Sequence, residues 1–268
     1  MKSVEIGKTI SSKIKILVIF LFSILQVHSF ARIKRYFDLA IRGFLIEADV
    51  KFYIGSIHDF FIFSPDWEKE LRNAFVLEKG MKFVDVGAHI GKYTIRAARM
   101  VGSEGRVVAV EPDKDNFEFL IKNIKVNGLE NCLALNVAAG STDGEIILFS
   151  GPNSAENSIK QDFGKGSSKV PVKAMDNILA ENKIGDVDLI KVDVEGAEYE
   201  VVKGLEKTLN SKEPVLVIEA LTRDKDRVLN YMRKIGYEER ILNIQPSYKG
   251  GLIHYSFTKR VKTWKRGI

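Results

Sequence analysis

Cysteine occurs once in this 268-residue chain, at Cys132, so an intramolecular disulfide is excluded and a reducing compartment fits. The thiol falls in the run Cys132-Leu133-Ala134-Leu135, which reads as a buried strand rather than as the surroundings of a nucleophile. Prolines number six and no two are adjacent. Internal repeats and low-complexity tracts are absent. No apolar run reaches the ~20 residues that a membrane-spanning helix needs. The longest, Ile16 to Val27, is interrupted by Ser23 and Gln26. Neither sign of charge is rare, with 41 Lys and Arg against 35 Asp and Glu, but the excess of +6 is unevenly placed. Residues 1–45 carry +6 and Lys259 to Ile268 carry +5, which leaves −5 on the remainder. A mildly acidic body between basic ends argues against a broad nucleic-acid footprint and toward an anionic surface met by the termini.

What is present is of ordinary globular composition, 45% apolar and 28% charged, and long enough for one large α/β domain with an appendage. The organising stretch runs from Met81 to Pro112. Phe83, Val84 and Val86 form a short buried-strand run that stops at Gly87. Gly87 and Gly91 let the backbone turn sharply and approach a ligand. Ile95, Ala98 and Val101 recur at near-helical spacing, so a helix starts close to Gly91. A second strand, Val107 to Val110, ends in Glu111. This order is that of a nucleoside-binding βαβ unit. The turn Gly87-Ala88-His89-Ile90-Gly91 lacks one glycine of the G-x-G-x-x-G dinucleotide fingerprint. Asp85, just before it, would repel a phosphate and suit an ammonium group. Glu111, twenty residues past Gly91, is placed to accept hydrogen bonds from both ribose hydroxyls. The ligand these features fit is a nucleoside with a cationic amino-acid tail, S-adenosylmethionine.

A second informative stretch is Asp186 to Gly204. Val187, Leu189, Ile190 and Val192 make a buried strand, followed closely by Asp193, Glu195 and Glu198. Acids at the end of a buried strand are costly unless they face a ligand, a metal or water. A helix from Ala197 to Leu209 follows. Pro214 to Ile218 is a further buried strand ending in Glu219. Glu198 reads best as an acid at the positive N-terminus of that helix.

The remaining elements set the frame. Residues 1–48 read as a helical N-terminal extension, apolar from Leu39 to Ile46 as well as from Ile16 to Val27. Val27-His28-Ser29 would pass as a signal-peptide cleavage site, but a secreted protein would not meet an intracellular nucleoside cofactor. The expectation is therefore a cytoplasmic protein whose residues 12–36 touch the inner face of the membrane peripherally or pack on the domain. Short strands are expected at Val50–Ile54 and Phe60–Phe63, and a helix from Ser64-Pro65-Asp66 to about Val76. Asp113 to Val126 is amphipathic and ends at Asn127-Gly128. Leu133 to Val137 is a strand with Asn136 near its carboxyl end, where it either lies close to the adenine side of a bound nucleoside or satisfies a turn. Gly144 to Phe149 and Val170 to Val172 are extended, separated by a polar, substrate-facing loop from Ser150 to Ser168. Arg223 to Ile235 is helical, and strands at Tyr237–Leu242 and Leu252–Phe257 precede the basic tail 259–268.

In order and spacing, V-D-V-G-A-H-I-G-K-Y-T, A-V-E-P-D, I-K-V-D-V-E-G-A-E-Y-E-V-V-K-G and V-L-V-I-E resemble the FkbM family of S-adenosylmethionine-dependent methyltransferases, over about Phe60 to Phe257. His89 departs from the asparagine usual in that family. The resemblance implies an α/β class I (Rossmann-like) domain at 49–258, with a mostly parallel seven-stranded sheet, helices on both faces and the last strand antiparallel. It implies O-methylation of a hydroxyl on a sugar, glycolipid or related metabolite. Cofactor contacts then fall on Asp85, Gly87, Ala88, His89, Gly91, Tyr93, Thr94, Glu111, Pro112 and Asn136. Asp193 or Glu195 would act as base with Glu219 orienting the acceptor, and Mg²⁺ on the same three acids is the alternative activator. Two rivals are weaker. Tyr199 and Lys203 match the spacing of a short-chain dehydrogenase pair, but no serine precedes them suitably. A non-catalytic nucleoside-binding module would not need acids beside the methyl position. The absence of Pro-Pro removes the D/N-P-P-Y/F turn that accompanies methylation of nucleobase amines.

Overall fold

The computed structural model describes residues 43–47, 50–56, 59, 62, 71, 74–221, 225–245 and 251–259. The apolar segment 12–36, the remainder of the expected N-terminal extension before Gly43 and the tail beyond Lys259 lie outside them. Among the described residues no helix is long and apolar enough to cross a membrane.

The expected helical extension is corrected at its end. Gly43–Glu47 is a strand, β1, paired antiparallel with β2, Val50–Ile54. β2 has an alternating pattern, with Val50, Phe52 and Ile54 buried against Ile90 and Ile95. Its backbone offers β1 a ladder, which local periodicity cannot reveal. The other edge of β2 is completed by side chains. Asn123 accepts from the Tyr53 amide at 2.6 Å and donates to its carbonyl at 3.2 Å. Asn127 does the same for Lys51 at 2.9 and 2.7 Å. Of the expected strand Phe60–Phe63, only Ile62 is described, and it lies in a turn, not a strand. Of the expected helix from Ser64 to about Val76, Leu71 and Ala74 are described and helical, while Phe75 and Val76 already lie beyond the helix.

The main sheet has seven strands: β3 (Lys82–Val86), β4 (Arg106–Val110), β5 (Cys132–Leu135), β9 (Leu189–Val192), β10 (Val215–Leu221), β11 (Tyr237–Gln245) and β12 (Leu252–Lys259). Their order is β11-β12-β10-β9-β3-β4-β5. β10, β9, β3, β4 and β5 are parallel, while β12 runs antiparallel to both β10 and β11, so the sheet is mixed. Alternate residues face opposite layers. Val84, Val108, Ile190 and Leu216 pack with α3 (Met175–Glu181), α4 (Glu198–Lys203), α5 (Glu206–Ser211) and α6 (Lys225–Lys234). Phe83, Val107, Leu189 and Val217 pack with α1 (Lys92–Val101) and with Leu71 and Ala74. On that second side α2 (Lys114–Val126) seats Leu120 against Ala88 and Ala109, and Asp113 caps it by accepting from the Asn116 amide at 2.9 Å.

Several boundaries differ from expectation. β5 ends at Leu135, so Asn136 and Val137 lie beyond it, and β11 runs on to Gln245. β6 (Ala138–Gly140), β7 (Gly144–Phe149) and β8 (Ser167–Ala174) form a separate three-stranded sheet, so Ser167 and Ser168 belong to a strand and not to the loop. β10 runs on to Leu221, which puts Glu219 inside a strand. Lys259 belongs to β12, paired with Tyr237, and not to the tail.

The single helix expected from Ala197 to Leu209 is two, α4 and α5, broken at Gly204. The Gly204 carbonyl accepts from the Asp176 amide at 2.8 Å. The Asp176 carboxylate then accepts from the amides of Lys207 and Thr208 at 2.7 and 3.0 Å, capping α5 from outside its own chain segment. A Cβ on Gly204 would lie 1.9 Å from the Gly140 carbonyl oxygen, so the backbones of α4 and β6 touch here. Gly204→Ala is therefore expected to destabilise the domain by about 1–3 kcal/mol through overpacking, read from the urea midpoint. An unchanged midpoint would show that the contact relaxes freely.

Candidate functional site

A cleft open to solvent lies along the carboxyl edge of the sheet, where β3, β4, β9 and β10 present their ends. Open parallel sheets bind ligands at this edge. The cleft is lined by Gly87, Ala88, His89, Tyr93, Glu111 and Pro112 of the expected cofactor set, and by Asp193, Glu195 and Glu219. Gly91, Thr94, Asn136 and Asp85 do not line it.

The glycine turn is held by backbone geometry. Gly87 has φ 80°, and its amide and that of Ala88 donate to the Val110 carbonyl at 2.9 and 3.0 Å. A Cβ on Gly87 would sit 1.8 Å from the Asp193 carbonyl oxygen, so only glycine allows β3 and β9 to meet there. His89 adopts φ 51° and donates its amide to Glu111 Oε2 at 2.7 Å, while the Asp113 amide donates to Oε1 at 3.0 Å. Burial pushes the Glu111 carboxyl up to about 7, against the opposing pull of those two amides. Asn136 supports this corner from behind, donating to the carbonyls of Glu111 and Pro112 at 2.9 and 3.0 Å.

Asp85 is fully buried below the turn. Thr94 Oγ1 donates to its Oδ2 at 2.6 Å and the Lys191 ammonium lies 3.6 Å from its Oδ1. Burial raises its pKa above the usual carboxylate range and the Lys191 charge opposes the rise. The same ammonium donates to Asp193 Oδ2 at 3.0 Å. Lys191 thus bridges the acid expected to meet an amine and the acid expected at the reacting end.

At that end one oxygen from each of Asp193, Glu195 and Glu219 lies within 4.8 Å of the others. Glu195 holds a left-handed φ of 51°, with Ser158 Oγ donating to its carbonyl at 2.7 Å. Such a backbone costs on the order of 1–3 kcal/mol in a non-glycine residue and is held by its surroundings. Glu219 Oε2 lies 2.5 Å from Nε2 of His254, its register partner across β10 and β12, and that imidazole is wholly buried. Mg²⁺ prefers oxygen ligands. Here Lys191 and His254 already engage two of the three carboxylates, so the set as arranged fits a metal poorly. Glu198 opens α4, its Oε1 accepting from the Gly196 amide at 2.8 Å while its buried Oε2 has no hydrogen-bond partner. Burial pushes its carboxyl up to about 7.

The polar loop after β7 forms a wall, with Ser154, Ala155, Asn157 and Ile159 lining the cleft. Ser154 Oγ donates to Asp59 Oδ1 at 2.9 Å and lies 3.0 Å from His89 Nε2, and its carbonyl accepts from Asn116 at 2.8 Å. Sequence reasoning missed Lys92, Asn116, Lys191 and His254. For Lys191 and His254 a signal existed, a lone ionisable residue inside an apolar strand. Tyr199 and Lys203 stay outside the cleft, packing on Tyr231 at 6.0 and 4.8 Å, which removes the dehydrogenase pair.

Glu111 and Glu198 titrate near 7 when folded, against an ordinary 4.5. The folded state then binds more protons than the unfolded between those values, so these groups make stability fall as pH rises from about 4.5 to 7 and level off above. Glu198→Gln is expected to remove roughly half of that fall. Urea unfolding across the window checks it, and an unaltered slope would clear Glu198 as a source.

The FkbM methyltransferase domain profile matches residues 85–239, more than half of the chain. The hexuronic acid methyltransferase AglP of Haloferax volcanii is 29% identical over 133 residues, covering 50% of this chain and 53% of that protein. Methyltransferase sdnD of Sordaria araneosa is 29% identical over 198 residues, covering 61% and 76%. The crystal structure of methyltransferase FkbM from Methylobacillus flagellatus superposes with a TM-score of 0.51 at 22% identity, over 69% of this chain and 46% of that one, a likeness of fold. The matched region spans about half the length of the first of these relatives and of the solved structure. With the glycine turn, Glu111 and the acidic turn on adjacent strands of one sheet, the chain belongs to the FkbM methyltransferase domain family.

Proposed function

We propose that this protein transfers a methyl group from S-adenosylmethionine to a hydroxyl of a sugar, free or lipid-linked, or of a related small metabolite. The carrying observation is the cleft itself, with Glu111 at the end of β4 and the three-carboxylate cluster at β9 and β10. Strands about 4.8 Å apart place Glu111 two to three strands, roughly 10–15 Å, from that cluster, a span that an extended nucleoside with an amino-acid tail can bridge. The name of the Haloferax relative supports a sugar acceptor.

The cofactor would supply a methyl on its sulfonium, whose carbon the acceptor oxygen attacks in line while the neutral thioether leaves. The chain's own residues bind and move the proton. Glu111 accepts from the ribose hydroxyls. Glu219, braced by His254, orients the acceptor hydroxyl, and Asp193 or Glu195 takes its proton as the new bond forms. The negative cluster also favours a cationic sulfur over a neutral one, which holds the cofactor before transfer and loosens the product after it.

S-adenosylhomocysteine is expected to bind and NAD not to. Because ribose hydroxyls donate to the ionised form of Glu111, affinity should rise with pH up to about 7 and then level, by at most tenfold per unit. Glu111→Ala should cost about 1.5–3 kcal/mol per lost hydrogen bond and abolish that pH dependence. Calorimetry reads both, and unchanged affinity would remove Glu111 from the site. For the chemistry, labelled S-adenosylmethionine is incubated with cell extract, and label is expected in glycan or glycolipid. Label confined to RNA or protein would overturn the acceptor class. Asp193→Asn and Glu195→Gln both transferring at the parent rate would overturn the assignment of the base.

A further inference from the structure

The short segment Asn157-Ser158-Ile159 has two faces. Asn157 and Ile159 line the cleft, whereas Ser158 between them is 1% exposed and does not. Its hydroxyl meets the acidic turn and donates to the Glu195 carbonyl at 2.7 Å. A serine hydroxyl has one proton to give and two lone pairs to offer. Here the oxygen accepts from two amides of its own loop, Lys160 at 3.1 Å and Gln161 at 3.3 Å. Those two bonds aim the hydroxyl, and its single proton is committed to Glu195. The main chain of Ser158 is anchored as well. Its amide donates to the Phe149 carbonyl at 3.0 Å and its carbonyl accepts from the Phe149 amide at 2.8 Å, a bridge onto the end of β7. Two residues on, Lys160 Nζ donates to Glu200 Oε1 of α4 at 2.8 Å. The acidic turn is thus gripped by a loop that springs from the separate three-stranded sheet.

What the hydroxyl holds is an unfavourable backbone. Glu195 has φ 51° and Gly196 φ 104°, two left-handed residues in succession, of which only the second is a glycine. A non-glycine residue stays in that region where neighbouring groups over-determine it. The turn is pinned before Glu195 by the Asp193 amide, which donates to the Val86 carbonyl at 3.0 Å. It is pinned after Glu195 by the Gly196 amide, which donates to Glu198 Oε1 at 2.8 Å. Ser158 supplies the contact at the Glu195 carbonyl, from a distant part of the chain. Rotation of Glu195 toward ordinary backbone angles would carry its carboxylate away from Asp193 and Glu219, which now lie within 4.8 Å of it. We propose that Ser158 is a positioning residue for methyl transfer, holding the Glu195 backbone so that its carboxylate stands at the reacting end. Because Asn157 and Ile159 flank it, the wall that meets the acceptor also sets the group that takes the acceptor's proton. The inference rests on the reading of Glu195 as a proton acceptor given above.

The test measures single-turnover transfer from labelled S-adenosylmethionine into whichever fraction of cell extract the parent protein labels. Calorimetry with S-adenosylhomocysteine reports in parallel whether the cofactor site is intact. Ser158→Ala is expected to slow transfer about tenfold or more, as the strained backbone relaxes, while S-adenosylhomocysteine binds as it does to the parent. A loss through general damage would add to any other loss, so Ser158→Ala is also combined with Glu195→Gln. If the hydroxyl acts through that carboxylate, the double variant is no slower than Glu195→Gln alone. Losses that multiply would overturn the proposal, and so would a parent rate in Ser158→Ala. A parent rate in Glu195→Gln would overturn it too, while leaving the methyltransferase reading in place. Should Ser158→Ala not bind S-adenosylhomocysteine, Ser158→Cys, close in shape and a weak donor, is measured in its place with the same outcomes. Loss of binding in both variants would make Ser158 a residue of the fold and sink its positioning role. If the parent protein moved no label and bound no S-adenosylhomocysteine, the methyltransferase reading itself would fall.

Discussion

A buried ammonium group joins the halves of this site. Lys191 stands on β9 with Asp85 of β3 on one side and Asp193 on the other, under the ring of Tyr93. Removing one member of such a set strands an uncompensated charge in the interior, which costs several kcal/mol. Its presence lets an acid be buried at the base of a glycine turn that must itself pass within touching distance of the Asp193 carbonyl. The close approach of β3 to β9, the orientation of Asp193 and the pinning of the α1 N-terminus through Thr94 all depend on that one compensation.

Around this centre the cleft is assembled from segments far apart in the chain. The polar loop after β7 touches His89 and Asn116 beside Glu111 through Ser154 and the acidic turn through Ser158. Asp59, upstream of the whole sheet, accepts from Ser154 and from the Gly55 and Ser56 amides at 2.8 Å each. One wall of the site is thus tied to both ends by hydroxyl hydrogen bonds.

The central βαβ unit and the acidic turn were legible in the sequence because their signals are local. Apolar runs stop at glycines, Asp113 precedes an amphipathic helix, and acids end buried strands. What could not be read depends on partners distant in sequence. Gly43–Glu47 is an apolar stretch until β2 offers it a ladder, and a helix period fits it equally well. Gly204 looks like a tolerated helix glycine until β6 presses on it and Asp176 takes over the capping of the next turn. Asp85 has the same neighbours in sequence whether it faces a ligand or lies beneath the turn. The lysine that decides between these is 106 residues away. His254 shows the same limit, since a lone histidine in an apolar strand gives no hint that Glu219 will be its register partner.

The side chains of Asn123 and Asn127 have a consequence beyond holding α2 in place. Spaced one helical turn apart, they present amides to β2 at the pitch of a strand and use up the outward-facing donors and acceptors of Lys51 and Tyr53. On that side the two-stranded ribbon ends in a helix that imitates another strand. A free edge of this kind is the usual template for strand addition by a neighbouring molecule. Here the template is already occupied from within, so self-association by edge pairing is closed off on the α2 side of β2.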